Sequence, residues 1–454
     1  MEPPPRQRLR QSNGIKVEAT ARSVVERLRS AGHQALYAGG CVRDALLGLT
    51  PSDYDIATSA RPEAVRGLFA RTYAVGAHFG VIIVLEGGAE FQVATFRADG
   101  EYRDGRHPQE VTFSDAREDA LRRDFTINGM FYDPVRGEVI DYVNGRADLE
   151  AGVIRAIGDP RARFSEDRLR LLRAVRFAAT FGFAIEPQTW EALCQAAPTL
   201  LSSVSPERIR EELTRIFQGP GRVRGLDLLS ESGLLAVILP EVEALKGCEQ
   251  PPQFHPEGDV YIHTRRMLEL LPETISVPLA FAVLFHDIGK PPTFSLDPQE
   301  GRIRFNGHDR VGAAMTTAIM ERLRFPREVI DTTVEAVANH MVFKDVQRMR
   351  VARLKRFMAR PHFADELELH RVDCQSSHGM LDNYHFLRQQ QEAFAREPLI
   401  PPPLVTGRDV LALGWKPGPK VGEILEALQT RQLEEGFADR EEALAWLNEH
   451  YGLP

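Results

Sequence analysis

Few folds can use Gly39-Gly40 and Asp53-Tyr54-Asp55 together. His33 to Ala38 reads as a short strand running into the glycines, and Val42, Ala45, Leu46 and Leu47 give the next segment an apolar helical face that Gly48 can stop. A glycine turn between strand and helix lets backbone N–H groups approach an anion, and the helix N-terminus adds favourable partial charge. Arg43, one turn into that helix, can reach the same anion. On a strand, Asp53 and Asp55 share one face while Tyr54 and Ile56 point the other way into packing. Two hard oxygen ligands on one face suit Mg²⁺, which keeps waters and completes its shell with phosphate oxygens. An anion cradle beside a paired-carboxylate site is what nucleotidyl transfer requires. Taken singly, each motif has a plainer reading: a tight connection for Gly-Gly, a capped turn for Asp-x-Asp.

The chain of 454 residues is too long for one hydrophobic core, and about 150 residues per domain suggests roughly three units. Its first part reads as α/β. Val17 to Ser30 and Pro62 to Phe69 have helical patterns, and Gly80 to Leu85 and Glu90 to Phe96 read as strands paired through Gly87-Gly88. Glu90 is a candidate third carboxylate on the face it shares with Gln92. Gly100 to Pro108 is rich in Arg, Asp and Gly and predicts a mobile surface loop. Beyond Asp159-Pro160 the pattern turns helical, with helices expected over Arg168–Phe181, Pro187–Ala196, Pro206–Phe217 and Gly225–Leu235. Pro251-Pro252 and Pro401-Pro402-Pro403 mark further boundaries. The expected division is a flexible start at 1–16, a head at 17–145, a helical neck and body at 146–250, a histidine-rich helical block at 251–399 and a helical tail at 400–454.

The longest largely apolar run, Ile275 to Phe285, is too short to span a bilayer, and Met1 to Arg10 has no apolar signal region. A cytoplasmic protein without membrane attachment is expected. Four widely spaced cysteines form no CxxC pair, so neither a zinc ribbon nor a disulfide framework is expected. A net charge of −8 gives no global attraction for nucleic acid, so RNA contact must come from local basic clusters.

Two arginine-bearing segments stand out. Arg122-Arg123-Asp124-Phe125-Thr126-Ile127-Asn128 sets two guanidinium groups, suited to bidentate phosphate contact, beside an Asp and an Asn. An Arg-Asp pair that fixes a turn is the competing reading. In Glu166 to Phe177, Asp167, Arg170, Arg173 and Arg176 recur every third residue and form one inclined ridge on a helix. A carboxylate accepts from amino groups and a guanidinium donates to ring nitrogens and carbonyls, so Asp-x-x-Arg can read a base edge. A solvated, salt-bridged helix face is the alternative.

In this order and spacing the segments, with Ser205-Pro206-Glu207-Arg208-Ile209-Arg210-Glu211-Glu212-Leu213, resemble class II tRNA nucleotidyltransferases (CCA-adding enzymes) and the bacterial poly(A) polymerases that share their head. The resemblance covers roughly the N-terminal half. It implies an α/β (α+β) polymerase-β-like nucleotidyltransferase head followed by an all-α body, and addition of C and/or A to tRNA from CTP and ATP. It implies that Asp53 and Asp55 bind the catalytic Mg²⁺ ions and that Gly40, Arg43 and Arg123 contact the nucleotide. Asp167 and Arg170 would act as a protein template for the incoming base, with Arg173 and Arg176 close by. Arg103, Asp104 and Arg106 would help reposition that template between CTP and ATP. The sequence departs from the family pattern at Gly129, where many relatives have Ala, at Gln92, where many have Glu, and at Arg168 inside the template motif.

His286-Asp287-Ile288-Gly289-Lys290, with His263 upstream and His308, His340 and Asp373 downstream, has the order of HD-superfamily metal phosphohydrolases. Imidazole and carboxylate together suit a second divalent metal. That resemblance implies a phosphodiesterase or phosphatase activity, and Gly407-Arg408-Asp409-Val410 with Gly418-Pro419-Lys420-Val421-Gly422 resembles the tail of such relatives, implying support of the tRNA. Two other activities fit part of the chain: a poly(A) polymerase, against which the HD block counts, and an HD phosphohydrolase whose N-terminal half only binds tRNA.

Overall fold

The computed structural model describes residues 5–74, 80–99, 111–297, 299, 301–395 and 398–452. The expected loop at Gly100–Pro108, with Arg103, Asp104 and Arg106, lies outside the described residues. The chain divides into two compact units, Met1–Glu243 and Ala244–Pro454.

The first unit opens with the helix Pro5–Ser30, longer than the apolar pattern from Val17 suggests. The strands are β1 (Ala35–Ala38), β2 (Asp55–Thr58), β3 (Thr72–Ala74), β4 (Val81–Glu86), β5 (Ala89–Thr95), β6 (Arg97–Asp99), β7 (Val111–Phe113), β8 (Phe131–Asp133) and β9 (Glu138–Ile140). Seven form one sheet in the order β3-β4-β5-β2-β1-β8-β9, while β6 and β7 pair separately. The β4–β5 hairpin turns through Gly87 and Gly88, both at positive φ, which is what a two-residue hairpin turn demands. Pairing of β2 with β5 is parallel and that of β1 with β2 antiparallel. Leu36, Ala57, Phe96 and Phe131 meet in the core beneath.

Helices take over after the sheet. Leu169–Phe181, Pro187–Ala196 and Pro206–Gln218 follow the expected positions closely, and an unexpected short helix, Pro160–Glu166, precedes them. The expected helix Gly225–Leu235 is instead two, Arg222–Glu231 and Leu234–Ile238, because Gly233 adopts φ 81 and ends the first. Close packing explains another glycine: a Cβ at Gly221 would lie 1.9 Å from the Ala179 carbonyl oxygen.

In the second unit, Val277–Phe285 is apolar all round, and Leu279 to Phe285 are all buried. Such a helix belongs in a core. Among the described residues, no helix is long and apolar enough to cross a membrane. The helices Val260–Leu270, His308–Arg322 and Phe363–Ser376, with the 3-10 helix His340–Arg348 that follows Arg327–Asn339, supply the surrounding histidines and acids. The C-terminal helices Pro419–Glu434 and Arg440–Tyr451 have their own core of Val410, Ile424, Leu428 and Leu447. The cysteines are free, and Cys41, Cys248 and Cys374 are buried.

Candidate active site and histidine cluster

The head site forms where β1 gives way to the helix Gly40–Leu46. Gly39 sits at φ 71 and ψ −126, and a Cβ there would lie 3.1 Å from Arg123 Nη1. Glycine therefore supplies both the backbone conformation and the room for a guanidinium over the turn. Asp55 opens β2 opposite Ala38. Asp53 lies in the irregular stretch ahead of the strand rather than within it, because β1 ends at Ala38 and offers no further ladder partner. The expected alternation still holds: Tyr54 and Ile56 are buried, while Asp53 and Asp55 are exposed.

A cleft of about 220 Å³ joins Asp55 to Gln92, Arg97, Arg122 and Arg123. Parallel pairing of Ile56 with Val93 sets Gln92 alongside Asp55. Glu90 lies further along, opposite Leu85 and bonded to Tyr73, so it contributes no third carboxylate to this cleft. Desolvation at the cleft wall, then the charge of Asp53, pushes the Asp55 carboxyl up to about 6 against the pull of Arg123. A carboxylate disfavoured in its charged form beside a second acid is one whose charge a divalent cation would stabilise.

Arg123 is held in place by Asp119, which is 1% exposed and accepts from its Nε and Nη2 at 3.2 and 2.9 Å. Arg43 lies beside the turn, held by side-chain partners. Its guanidinium donates to Asp44 and to Asn128 Oδ1 at 2.7 Å and lies over Phe177 and Phe181 of the ridge helix Leu169–Phe181. Gly40 is the first residue of its helix, beside that guanidinium.

The expected ridge is part buried and fully paired. Asp167 precedes the helix in an extended conformation, so the helical repeat begins only at Arg170. Asp167 is bound by Arg208 at 2.8 and 3.3 Å, and Arg170 by Glu166 at 2.6 Å and by the Arg122 carbonyl at 3.2 Å. Arg173 meets Asp124 at 2.6 Å, and Arg176 meets Glu212 at 2.5 Å. Asp167 and Arg170 are thus held by separate partners rather than by each other. A partner for Asp167 was not expected, although Arg208 lies in a segment that the sequence marks.

In the second unit, His286, His308 and His340 share one device. Each places Nδ1 against the carbonyl of the residue three positions earlier, at 2.8, 2.8 and 2.6 Å, which fixes the proton on Nδ1 and leaves Nε2 a lone pair. Those lone pairs converge on Asp287: Nε2 of His286 is 3.0 Å from Oδ2, and Nε2 of His308 and His340 are 3.5 and 3.8 Å from Oδ1. His308 and His340 face each other Nε2 to Nε2 at 3.2 Å. With both protons on Nδ1 that contact has no hydrogen to share, and a cation between the rings and the acid would satisfy it. Burial pushes His340 down to about 4, so it is neutral as a ligand must be. His263 meets Asp373 through Nε2 at 3.1 Å. Against its burial, hydrogen bonds to Asp373 and Glu257 hold His263 up at about 9, so without a metal it carries both ring protons, and serving as a ligand would require it to give up the Nε2 proton. The six candidate ligands therefore gather at one place, beside a cavity of about 570 Å³ that Lys290, Arg304 and Lys344 also line. Lys290 donates to Asp287 and to Gln250, both at 2.7 Å. Glu257, His255 and Gln250 escaped the sequence reading, although His255-x-Glu257 lies just upstream of His263.

Three family models match: the poly A polymerase head domain over residues 35–155, the probable RNA and SrmB-binding site of polymerase A over 182–246, and the HD domain over 260–370. The A-adding tRNA nucleotidyltransferase of Deinococcus radiodurans is 34% identical over 415 residues, 87% of this chain and 90% of the relative. A CCA-adding enzyme of Geobacillus stearothermophilus is 43% identical over 219 residues, 48% of this chain and 54% of that relative. Among solved structures, the Bacillus stearothermophilus CCA-adding enzyme in complex with CTP covers 95% of this chain and 96% of its own, at a TM-score of 0.72 and 28% identity.

Proposed function

Since this chain belongs to the tRNA nucleotidyltransferase family, we propose that it adds C and/or A residues to the tRNA 3′ end, using CTP and ATP, in the cytoplasm. The observation that carries this reading is the cleft in which Asp55 faces Arg122 and Arg123 beside the Gly39 turn. Asp53 and Asp55 would hold divalent cations, Mg²⁺ in our reading, whose chemistry is to activate the tRNA 3′-hydroxyl and neutralise the departing pyrophosphate. Arg123, fixed by Asp119, offers its charge to the triphosphate. Gly40 and Arg43, at that turn, would contact the nucleotide. Asp167 and Arg170 present a carboxylate and a guanidinium to the base edge, and Arg173 and Arg176 brace their helix through Asp124 and Glu212. In our division the head is 17–145, the neck 146–250, the HD block 251–399 and the tail 400–454. The HD block would hold a second divalent metal through His263, His286, Asp287, His308, His340 and Asp373 and act on phosphoesters.

The test supplies tRNAs ending at the discriminator base, at C and at CC with CTP and ATP, singly and together. A few added residues with defined nucleotide order support the proposal, and acceptance of the CC-ending tRNA alone narrows it to A addition. Long ATP-only tails would replace it with polyadenylation. Incorporation retained by the Asp53→Ala, Asp55→Ala double variant would sink it.

A further inference from the structure

Of the four histidines in the cluster, His263 is oriented by a different kind of partner. His286, His308 and His340 donate Nδ1–H to backbone carbonyls, whereas His263 Nδ1 lies 2.7 Å from Glu257 Oε1. The Glu257 side chain has 0% exposure, its second oxygen has no hydrogen-bond partner, and its first oxygen also meets His255 Nδ1 at 2.9 Å. Glu257 is thus a buried carboxylate shared by two imidazoles. One of them, His255, lines the cavity, and the other reaches Asp373 through Nε2.

We propose that Glu257 is the positioning residue of the histidine cluster: it holds the His263 proton on Nδ1, aims Nε2 at the metal-binding face shared with His286, Asp287 and Asp373, and makes that nitrogen a stronger donor than a carbonyl partner would. A carboxylate behind an imidazole fixes its tautomer and raises its basicity, and losing such a partner costs about 10–100-fold in metal affinity. His255 Nδ1 meets the same oxygen at 2.9 Å, so the Glu257 carboxylate is fixed from a second side. The proposal rests on the HD block's binding a divalent metal at all.

The experiment titrates Co²⁺ into the metal-free full chain and reads both the dissociation constant and the visible d–d spectrum, for the wild type, Asp287→Asn and Glu257→Gln. The expected result is a Co²⁺ d–d band from the histidine cluster, distinct from any oxygen-ligated Co²⁺ at Asp53 and Asp55, that Asp287→Asn abolishes. In Glu257→Gln, affinity should fall by about tenfold or more, with a shifted d–d band. Wild type without Co²⁺ binding at the cluster would overturn the metal reading and this proposal with it. Wild-type binding that Asp287→Asn removes but Glu257→Gln leaves unchanged in affinity and spectrum would overturn the role of Glu257 alone. Because a buried Glu→Gln change can disturb folding, ¹⁵N-histidine NMR of the Zn²⁺-loaded wild type supplies the second measurement. His263 should show a protonated Nδ1 and a metal-bound Nε2, and the reverse tautomer would refute the proposal.

Discussion

Asp124→Asn tests whether charge fastens the ridge helix Leu169–Phe181 to the head. Asp124 is 8% exposed and accepts from Arg173 Nε at 2.7 Å, from the Phe125 N–H at 2.8 Å and from the Asn128 amide at 3.2 Å. Burial alone would favour the neutral acid, yet the charge and hydrogen bond of Arg173 hold this carboxyl at about 2, below its ordinary 3.8. That gap corresponds to roughly 2 kcal/mol of stability. Because the folded value lies below the unfolded one, the contribution is complete above about pH 5, and it is lost as pH falls towards 2, with about half left at pH 3. Asparagine keeps the shape and loses the charge. Arg173 retains 31% side-chain exposure, so the variant should lose about 2–3 kcal/mol, below or at the low end of the range for fully buried pairs. Urea titrations read by hydrogen–deuterium pulse labelling of the ridge helix would report the unit that contains it. The difference between wild type and variant should shrink by about 1 kcal/mol from pH 7 to pH 3. A difference that stays constant across that range would mean that packing, and not the ion pair, holds the helix.

Replacing both Asp53 and Asp55 by Ala should lower nucleotide incorporation by about a thousandfold or more, since cation charge stabilisation is worth several kcal/mol; unchanged circular dichroism would confirm that the fold persists. Arg208→Ala releases the Asp167 carboxylate, and the CTP-to-ATP incorporation ratio should change by about fivefold, the equivalent of roughly 1 kcal/mol of base discrimination. An unaltered ratio with slower overall incorporation would assign Arg208 a purely structural role. Gly129→Ala should destabilise by about 1 kcal/mol, because its Cβ would meet Val143 Cγ2 at 2.7 Å and Ile157 Cδ1 at 3.0 Å; a thermal melt that rises instead would show that both side chains give way freely.

That last site shows what the sequence exposes and what it hides. Glycine at 129 is visible as a departure from the family pattern, but its cause is the crowding by Val143 and Ile157, which only folding brings together. Local patterns were legible because their physics is local: Gly87-Gly88 between apolar alternations is a hairpin, and an apolar Val277–Phe285 is a core helix. The end of β1 was not legible, so Asp53 was expected inside a strand that starts two residues later. Partners across long separations were hidden for the same reason. Nothing near Asp167 announces Arg208, 41 positions away, and nothing near Arg173 announces Asp124, 49 positions away. An arginine ridge therefore looks the same in sequence whether it is solvated or fastened to acids. The distinction changes the chemistry expected of it: a guanidinium already bound to a carboxylate, Arg170 on Glu166 included, must exchange or share that partner before it can hold a phosphate or a base, so in the proposed reading nucleotide binding would begin by remaking the Glu166–Arg170 and Asp167–Arg208 pairs.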